Sequence, residues 1–480
     1  MRHTLRSWKS LQRPLVYQLP IPRFPRVICC AALAVLLATT SYIQAVTLKA
    51  AVAKVDITPP AGLPMYGFLD RINDSKRSTG TLDPLYARVL VLEVGEKRLA
   101  LVTLDLGRTF NEPELAQLRQ EVKRAAGISY LIVTASHTHS GPNILDAYPE
   151  DRAPAWETGA VKKIVGAVSE AAGHLVESRM GIGRGEVYIA YNRRQLHPDG
   201  SVTMLWTNPA KLPTFPVDPT VLVLRIDDNH GKAIALLVNY ACHPVVLGSD
   251  NLQYSADFVG SMANAVEAAF DYAPLCFYLQ GADGDINPYY ATTALSDSAI
   301  AKRDWTGKQL GDEAVRVAKG IHTEAPREAA IDFSDDVMTF AWRWNVKTFR
   351  AALLANFGPK VFEDHADLLT HDPPPDHLDL HVTTLLLNKQ IALIGLPGEP
   401  FVNFQINWRD RCPVRDALFL GYTNGYFDYF PTIEATAQGG YGAGDSNTYV
   451  EIGTAERMLR QSLTRVYEML GKIRDSPERD

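Results

Sequence analysis

Cysteine is scarce in this sequence, and the few cysteines present form no recognisable pattern. Among 480 residues there are five, and two of them, Cys29 and Cys30, lie within the first 45 residues. The other three, Cys242, Cys276 and Cys412, are far apart and odd in number. This spacing argues against a disulfide framework and against a cysteine metal cluster. We expect three buried thiols, with a single disulfide as the alternative.

Several common catalytic signatures are also missing. The chain has no internal repeat and no low-complexity segment. No Gly-x-Ser-x-Gly, His-Glu-x-x-His or Gly-x-Gly-x-x-Gly pattern stands at a strand–helix junction. Their absence argues against a serine-triad hydrolase, a zincin protease and a dinucleotide-binding enzyme.

Acidic residues are absent from the first 26 residues, which carry six basic ones. An apolar run, Val27–Leu37, follows, and small and polar residues continue to Ala45. This order is typical of a secretory signal, and the run is short for a membrane span of about 20 residues. We therefore expect residues 1–45 to be a signal peptide and the protein to be secreted, periplasmic or at the cell surface. An uncleaved N-terminal membrane anchor and a translation start further downstream are the alternatives.

The remainder of the chain is acidic. Without residues 1–45 the formal net charge moves from −6 to −12. An acidic body is repelled by nucleic acid and by anionic membrane surfaces. We therefore expect no nucleic-acid partner, whereas peripheral contact with an uncharged lipid stays open.

From residue 46 onward, short apolar stretches alternate with helical ones. The predicted strands are Leu85–Val94, Leu99–Leu106, Tyr130–Ala135, Val221–Ile226, Ala233–Tyr240, Leu275–Leu279, Val382–Leu387, Gln390–Gly395 and Ala417–Gly421. The predicted helices are Glu112–Ala126, Thr158–Leu175, Ala256–Phe270, Asp297–Gly320 and Thr454–Lys472. Runs rich in Val, Leu and Ile are typical of strands that are buried on both faces. The alternation predicts an α/β fold, with one large catalytic domain over residues 46–475 and a mixed β-sheet core covered by helices.

Five of the predicted strands run directly into polar segments. These are Ser-His-Thr-His-Ser-Gly-Pro at 136–142, Ala-Cys-His-Pro at 241–244, Gln-Gly-Ala-Asp-Gly-Asp-Ile-Asn-Pro at 280–288, Leu-Pro-Gly-Glu-Pro at 396–400 and Tyr-Thr-Asn-Gly-Tyr at 422–426. Ligands of open α/β sheets bind at the carboxyl ends of the strands. We therefore expect the five segments to meet at one edge of the sheet.

Three residues in these segments suit a metal ion, namely His137, His243 and Glu399. A catalytic zinc commonly takes three nitrogen or oxygen ligands from the protein and one water. His139 lies two residues after His137 and, in an extended chain, would face the same side. Each histidine alone could be a core or exposed side chain, and Glu399 an exposed turn acid. Their shared position favours a metal site and metal-assisted hydrolysis.

The loop at 281–288 adds two carboxylates, Asp283 and Asp285. We expect one of them to support the metal site or to act as a base beside it. Asp285 in particular is predicted to orient the loop or a histidine. The alternative is an aspartate-rich turn without a part in the chemistry.

Several motifs, taken in order, resemble those of the neutral/alkaline non-lysosomal ceramidase family. They are His-Thr-His-Ser-Gly-Pro, Asn-Tyr-Ala-Cys-His-Pro, Gly-Asp-Ile-Asn-Pro and Gly-Glu-Pro, preceded by Val-Asp-Ile-Thr-Pro-Pro-Ala-Gly and Met-Tyr-Gly. The resemblance implies the catalytic, N-terminal domain of that family without its C-terminal immunoglobulin-like domain. It also implies cleavage of the amide of an N-acyl lipid with one Zn²⁺ ion.

The resemblance further implies roles for single residues. The metal ligands would be His137, His243, Glu399 and Tyr441, and the substrate-facing residues would be His139, Arg193 and Tyr429. These last three would stabilise negative charge that develops on the carbonyl oxygen. Without the resemblance, Tyr441 would be a surface aromatic, Arg193 part of a solvated basic pair, and Tyr429 a packed strand aromatic.

One residue departs from the family pattern. Asn287 occupies a position at which the family usually has serine, and its amide cannot act as a hydroxyl nucleophile. A zinc–water mechanism survives this change, whereas a serine acyl-enzyme does not. The expected substrate is N-acylsphingosine or another N-acyl compound. The alternatives are an ester, a lactone, an N-acyl sugar, or a surface binding protein of the same fold without turnover.

Overall fold

The computed structural model describes residues 47–74, 76–145, 153–357, 376–444 and 447–473. The predicted signal peptide or anchor, residues 1–45, lies outside these residues. Within the described parts of the chain, no helix is both long and apolar enough to cross a membrane.

The secondary structure is mixed along the whole of this region. The strands are β1 Leu48–Asp56, β2 Gly80–Thr81, β3 Tyr86–Val94, β4 Lys97–Leu104, β5 Tyr130–Ala135, β6 Val176–Glu186, β7 Ala190–Asn192, β8 Arg194–Leu196, β9 Val202–Met204, β10 Thr220–Asp228, β11 Ala233–Tyr240, β12 Gln253–Tyr254, β13 Leu275–Gln280, β14 Ile286–Pro288, β15 Ile331–Phe340, β16 Leu378–Leu387, β17 Ile391–Gly395, β18 Glu399–Pro400, β19 Asp416–Leu420 and β20 Tyr429–Phe430. The α-helices are α1 Leu69–Asn73, α2 Glu112–Ala126, α3 Ala155–Gly173, α4 Phe258–Ala268, α5 Ala299–Gly320, α6 Val346–Phe357, α7 Val402–Arg411, α8 Ile433–Gln438 and α9 Thr454–Met469.

Two sheets carry the fold. The larger has eight strands in the order β13-β11-β10-β6-β1-β3-β4-β5, and the smaller has four in the order β15-β16-β17-β19. Most neighbouring strands are antiparallel, but β4 and β5, β11 and β13, and β17 and β19 are parallel pairs. The predicted α/β fold with a mixed sheet is therefore confirmed.

The two sheets pack face to face, and helices cover their outer surfaces. Leu224 and Leu237 of the larger sheet share one apolar cluster with Leu393 and Leu418 of the smaller one. Helices α2 and α3 pack on one half of the larger sheet, and α4 and α5 on the other half. Helices α7 and α9 cover the smaller sheet. The sequence analysis placed all predicted strands in one sheet, because apolar periodicity identifies a strand without naming its neighbours.

The carboxyl ends of the parallel pairs lie together. The amide of Ala135 donates to the Tyr422 carbonyl over 3.2 Å, and the amide of Gly421 donates to the Gln280 carbonyl over 3.0 Å. The amide of Tyr422 in turn donates to the Gly398 carbonyl over 2.9 Å. The polar segments after β5, β13, β17 and β19 are thus bonded to one another. The segment after β11 joins them because β11 pairs with β13.

Helices α4 and α5 approach closely at a glycine, which gives a test of the packing. A Cβ atom on Gly307 would lie 2.4 Å from the carbonyl oxygen of Phe258. We expect Gly307→Ala to lower the free energy of unfolding by about 1–3 kcal/mol, because backbone must move to accept the methyl group. Gly166→Ala is the matched control in helix α3, where nothing lies within 4 Å of the added atom. It should leave stability unchanged or raise it by up to about 1 kcal/mol. Urea denaturation compares the two; equal stability of both variants would contradict the close contact.

Candidate metal centre

His137 is the second residue of the first polar segment and has a constrained geometry. Its φ of 69° is in the left-handed region, which is unusual for a residue with a side chain and is common at functional sites. Its Nδ1 lies 2.7 Å from the Gly107 carbonyl oxygen, and its ring stacks on Tyr422 with 4.2 Å between centroids. A carbonyl oxygen can only accept, so Nδ1 carries the proton and Nε2 presents a lone pair, as a metal ligand would.

His243 is held in the same way from another strand. Its Nδ1 donates to the Asp283 carbonyl oxygen over 2.7 Å, which leaves the lone pair on Nε2. That Nε2 lies 3.3 Å from Glu399 Oε2. Neither atom has a hydrogen-bond partner among the described residues. Two electron-rich atoms therefore face each other without a proton between them.

Glu399 completes this group from the segment that follows β17 of the smaller sheet. Its carboxylate is buried, with 2% of the residue exposed, and Oε1 accepts a hydrogen bond of 2.6 Å from the Tyr426 hydroxyl. Oε1 also lies 3.6 Å from His137 Nε2. A buried carboxylate between two lone-pair nitrogens is a favourable place for a cation.

His139 lies at the same point, although the chain between it and His137 is not extended as the sequence analysis assumed. Its Nε2 is 3.1 Å from His137 Nε2, and its ring is half-buried. Ligand nitrogens of His137, His139 and His243 all lie within 4.8 Å of one another, so the three histidines could hold a metal ion. Burial lowers the pKa of His137 to about 3 and the pKa of His139 well below its usual value. Both rings are thus neutral at physiological pH, as metal ligation requires.

Arg193 forms a second group beside the histidines. It donates from Nη2 to the Gly284 carbonyl over 2.6 Å and to the Tyr429 hydroxyl over 3.1 Å. Its guanidinium lies between 5.2 and 5.8 Å from the ring centroids of Trp206, Tyr429 and Tyr441. Only 4% of Arg193 and 7% of Arg194 are exposed, so a solvated basic pair is excluded. A buried cation fixed among aromatic rings can stabilise negative charge nearby.

Tyr429 connects this group to the candidate ligands. It belongs to β20, which pairs with β18 so that Tyr429 lies opposite Glu399. Tyr441 contacts Tyr429 edge-on with 5.4 Å between centroids, and its hydroxyl accepts a hydrogen bond of 2.8 Å from Asn447. Tyr441 therefore lies on the Arg193 side of the site, and its role as a fourth ligand stays a prediction.

The two aspartates of the 281–288 loop have different surroundings. Asp285 accepts from the Val402 amide over 2.8 Å and from Asn192 Nδ2 over 2.7 Å, so it fixes the loop to the start of α7. Asp283 is the aspartate that approaches a histidine, since its Oδ2 lies 3.3 Å from His243 Nδ1. Burial raises the pKa of Asp283 to about 7.

A comparison with known families now identifies the chain. The family model described as neutral/alkaline non-lysosomal ceramidase, N-terminal, matches residues 49–290, which is half of the sequence. The chain belongs to the neutral/alkaline non-lysosomal ceramidase family.

Two solved structures share the fold of this ceramidase-family protein. One is a neutral ceramidase from Pseudomonas aeruginosa, with a TM-score of 0.69 and 18% sequence identity, covering 91% of this chain and 76% of that chain. The other is described as a ceramidase complexed with C2; it has the same TM-score and identity and covers 91% of this chain and 77% of that chain. At this identity the likeness supports the fold, while the family match supports hydrolase chemistry.

Some residues of this ceramidase-family site were not singled out from the sequence. Tyr422 stacks on His137 and donates a hydrogen bond of 2.7 Å to Asp283 Oδ1, so it links the supports of two histidines. Tyr426 donates to Glu399 and receives a 2.9 Å hydrogen bond from Tyr66. Tyr422 and Tyr426 come after a buried strand, and this position was the sequence feature that could have identified them as site residues. For Tyr66 there was no such feature beyond its place in the Met-Tyr-Gly motif.

Gly67 gives a test of the His139 position. A Cβ atom there would lie 2.5 Å from two atoms of the His139 ring, and the φ of Gly67 is +106°. We expect Gly67→Ala to displace that ring and lower kcat by about tenfold, because small misplacements of reacting groups are costly. Gly62→Ala is the matched control, since its φ is +97° but nothing lies within 4 Å of the added atom. Kinetics of the two variants on any substrate that the wild type hydrolyses would settle this; equal kcat values would contradict the steric argument.

Proposed function

We propose that this protein is an exported zinc-dependent amidase that hydrolyses N-acylsphingosine or a similar N-acyl lipid. The observation that carries the proposal is the buried pair of His243 Nε2 and Glu399 Oε2, which lie 3.3 Å apart without a hydrogen-bond partner among the described residues, with His137 Nε2 3.6 Å from Glu399 Oε1. Membership of a ceramidase family supports hydrolysis of a lipid amide. Export rests on the basic and apolar N-terminal segment alone.

The donor set favours zinc among the common metals. Imidazole nitrogen and carboxylate oxygen are usual zinc ligands, and His₂Glu is one known catalytic set. His137, His243 and Glu399 would hold the ion, and Tyr441 would complete its coordination. A bound zinc ion lowers the pKa of a water and polarises a carbonyl group.

The protein's own residues would then act on the substrate. Arg193 and Tyr429 present N–H and O–H donors that stabilise negative charge on the carbonyl oxygen of the scissile amide. His139 is the half-buried histidine of the three, and its Nδ1 has no hydrogen-bond partner in the described region. We assign it the uptake of a proton from the attacking water and the delivery of that proton to the leaving amine.

Asn287 restricts the mechanism. Its side-chain oxygen accepts a 3.4 Å hydrogen bond from Arg193, so it stands in the wall of the site. An amide at this position cannot form an acyl-enzyme. The attacking oxygen therefore comes from water.

The test combines metal analysis with substrate comparison. We expect purified protein to contain one zinc ion and to release fatty acid from a fluorogenic ceramide, with activity lost to a chelator and restored by zinc. Short N-acyl, ester and lactone substrates run in parallel would reveal a different acyl preference. Full activity in metal-free protein would rule out the metal mechanism. Zinc binding without turnover of any acyl substrate would favour a binding protein instead.

A further inference from the structure

Arg71 is a buried arginine whose hydrogen-bond acceptors, among the described residues, are all main-chain carbonyls. Only 1% of it is exposed. The acceptors are the carbonyl oxygens of Tyr66, His139, Gly248, Ser249 and Asn251. The distances to Tyr66 and Asn251 are both 2.7 Å, and those to Gly248 and Ser249 are 3.1 and 3.2 Å. These five bonds match the five N–H donors of a guanidinium group.

The charge on Arg71 is retained at a cost. Burial lowers its pKa to about 10, so it remains protonated at neutral pH. A buried charge is unfavourable unless something compensates for it, and here five carbonyl dipoles do so. Arg71 thus joins the three chain segments that supply them, in addition to main-chain hydrogen bonds such as that from the Tyr66 amide to the Gly141 carbonyl over 3.1 Å.

One of these segments carries His139, and a second wraps around its ring. Gly67 is so close to that ring that a Cβ atom could not be accommodated. The rings of Phe68 and Tyr66 contact it edge-on, with centroid distances of 5.1 and 5.6 Å. Arg71 lies in helix α1, directly after this turn, and binds the main chain of His139 from there. The His139 ring is thus packed against the turn at residues 66–68. Arg71 joins this turn to the main chain of His139.

His139 also lacks the support that fixes its two neighbours. Nδ1 of His137 and Nδ1 of His243 each donate to a main-chain carbonyl, which sets both rings. Nδ1 of His139 makes no such bond within the part of the chain that is described. Its orientation therefore comes from the 3.1 Å contact of its Nε2 with His137 Nε2, from the packing of the turn and from its own main chain.

We propose that Arg71 is a positioning residue that holds the His139 ring in place next to His137. It does so by binding the main-chain carbonyl of His139 together with carbonyls of the turn and of the segment at residues 248–251. The consequence for catalysis rests on the proposed function, but the positioning itself does not. Lysine cannot replace Arg71, because its ammonium group has three donors and lacks the planar fork.

The test uses the full-length protein and the variant Arg71→Lys. We expect kcat to fall by about tenfold or more, in the range found for residues that orient metal-site histidines, with KM changed little. In a His139→Ala background the same substitution should have almost no further effect on kcat, because residues that act through one another are not additive. Arg409→Lys is the matched control. Arg409 is a largely buried arginine, with 9% of its side chain exposed, and it pairs with Asp218 and not with the main chain of His139.

A second readout does not need turnover. Diethylpyrocarbonate modifies histidine rings, and peptide mass spectrometry gives the rate for each site. We expect the rate at His139 to change several-fold in Arg71→Lys and to stay unchanged in Arg409→Lys. The exposed His230 serves as the internal reference. If the lysine variant does not fold by circular dichroism, Arg71→Gln takes its place, since its amide keeps two N–H donors.

The outcomes separate the two proposals. Unchanged kcat and unchanged His139 reactivity in a folded Arg71 variant would overturn the positioning role, as would an effect on kcat that is fully additive with His139→Ala. A wild-type protein that hydrolyses no acyl substrate would overturn the proposed function. In that case an altered His139 rate would still support the role of Arg71, and an unaltered rate would refute it.

Discussion

Glu399→Gln should remove the metal from the purified protein and lower kcat/KM by at least about a thousandfold. Outer residues that only orient metal ligands already contribute about 10–100-fold, so the loss of a direct ligand should exceed that range. The glutamine amide is nearly isosteric and can still accept from Tyr426. Its NH₂ group, however, would donate to the lone pair of His243 Nε2, where a cation would otherwise lie.

We also expect Glu399→Gln not to destabilise the metal-free protein, although it alters a buried side chain. In metal-free wild type, the buried Glu399 charge has no cation beside it, which is costly. Metal-free Glu399→Gln should therefore melt at the same temperature as metal-free wild type or at a higher one. Plasma mass spectrometry for zinc, steady-state kinetics and calorimetry measure the three quantities.

Glu267→Gln provides the control for removal of a buried carboxylate. Glu267 is 4% exposed, accepts from the Cys276 amide over 3.0 Å and pairs with Lys54. This variant should lose stability and keep its metal and its kcat. A full complement of zinc in Glu399→Gln would contradict the assignment of Glu399 as a ligand.

The second large effect is expected for Arg193→Lys. Loss of one fixed donor to a developing oxyanion typically costs about 10²–10³-fold in kcat. Lysine has one ammonium group and no planar face, so it cannot serve the Gly284 carbonyl and the Tyr429 hydroxyl in the same geometry or lie among three aromatic rings. We expect kcat to fall in that range while zinc content is unchanged.

The neighbouring arginine is the matched control. Arg194 is also buried, but it donates to the Gly439 carbonyl over 2.7 Å and packs over the Phe401 ring. Arg194→Lys should lower the melting temperature and leave kcat within a fewfold of wild type. Similar losses of kcat in both variants would show that the effect comes from the packing of this region and not from the donors of Arg193.

The meeting of the five polar segments could be predicted from the sequence, because apolar strands and the residues that follow them are local signals. Their convergence brought His137, His243 and Glu399 together. The supports of these residues could not be predicted in the same way. Gly107 and Asp283 contribute main-chain carbonyls, and a carbonyl has no signature in the sequence.

The rest of the site could not be predicted, because it depends on contacts between residues that are far apart in the sequence. Arg193, Tyr429 and Tyr441 were suggested by the family resemblance alone, since each also fits an ordinary structural role. Arg71 was invisible because its partners come from three segments whose proximity depends on the fold. The second sheet was missed for the same reason, since pairing of β15 with β16 joins residues far apart in the chain.

The arrangement of the two sheets has a consequence for how the protein matures. His137 and His243 follow strands of the larger sheet, whereas Glu399 follows a strand of the smaller one. A folding intermediate with one sheet formed would hold two imidazoles without their carboxylate, or the carboxylate without the imidazoles. On the proposed function, we therefore expect tight zinc capture to follow docking of the sheets, and the rate of zinc uptake during refolding to follow that docking step.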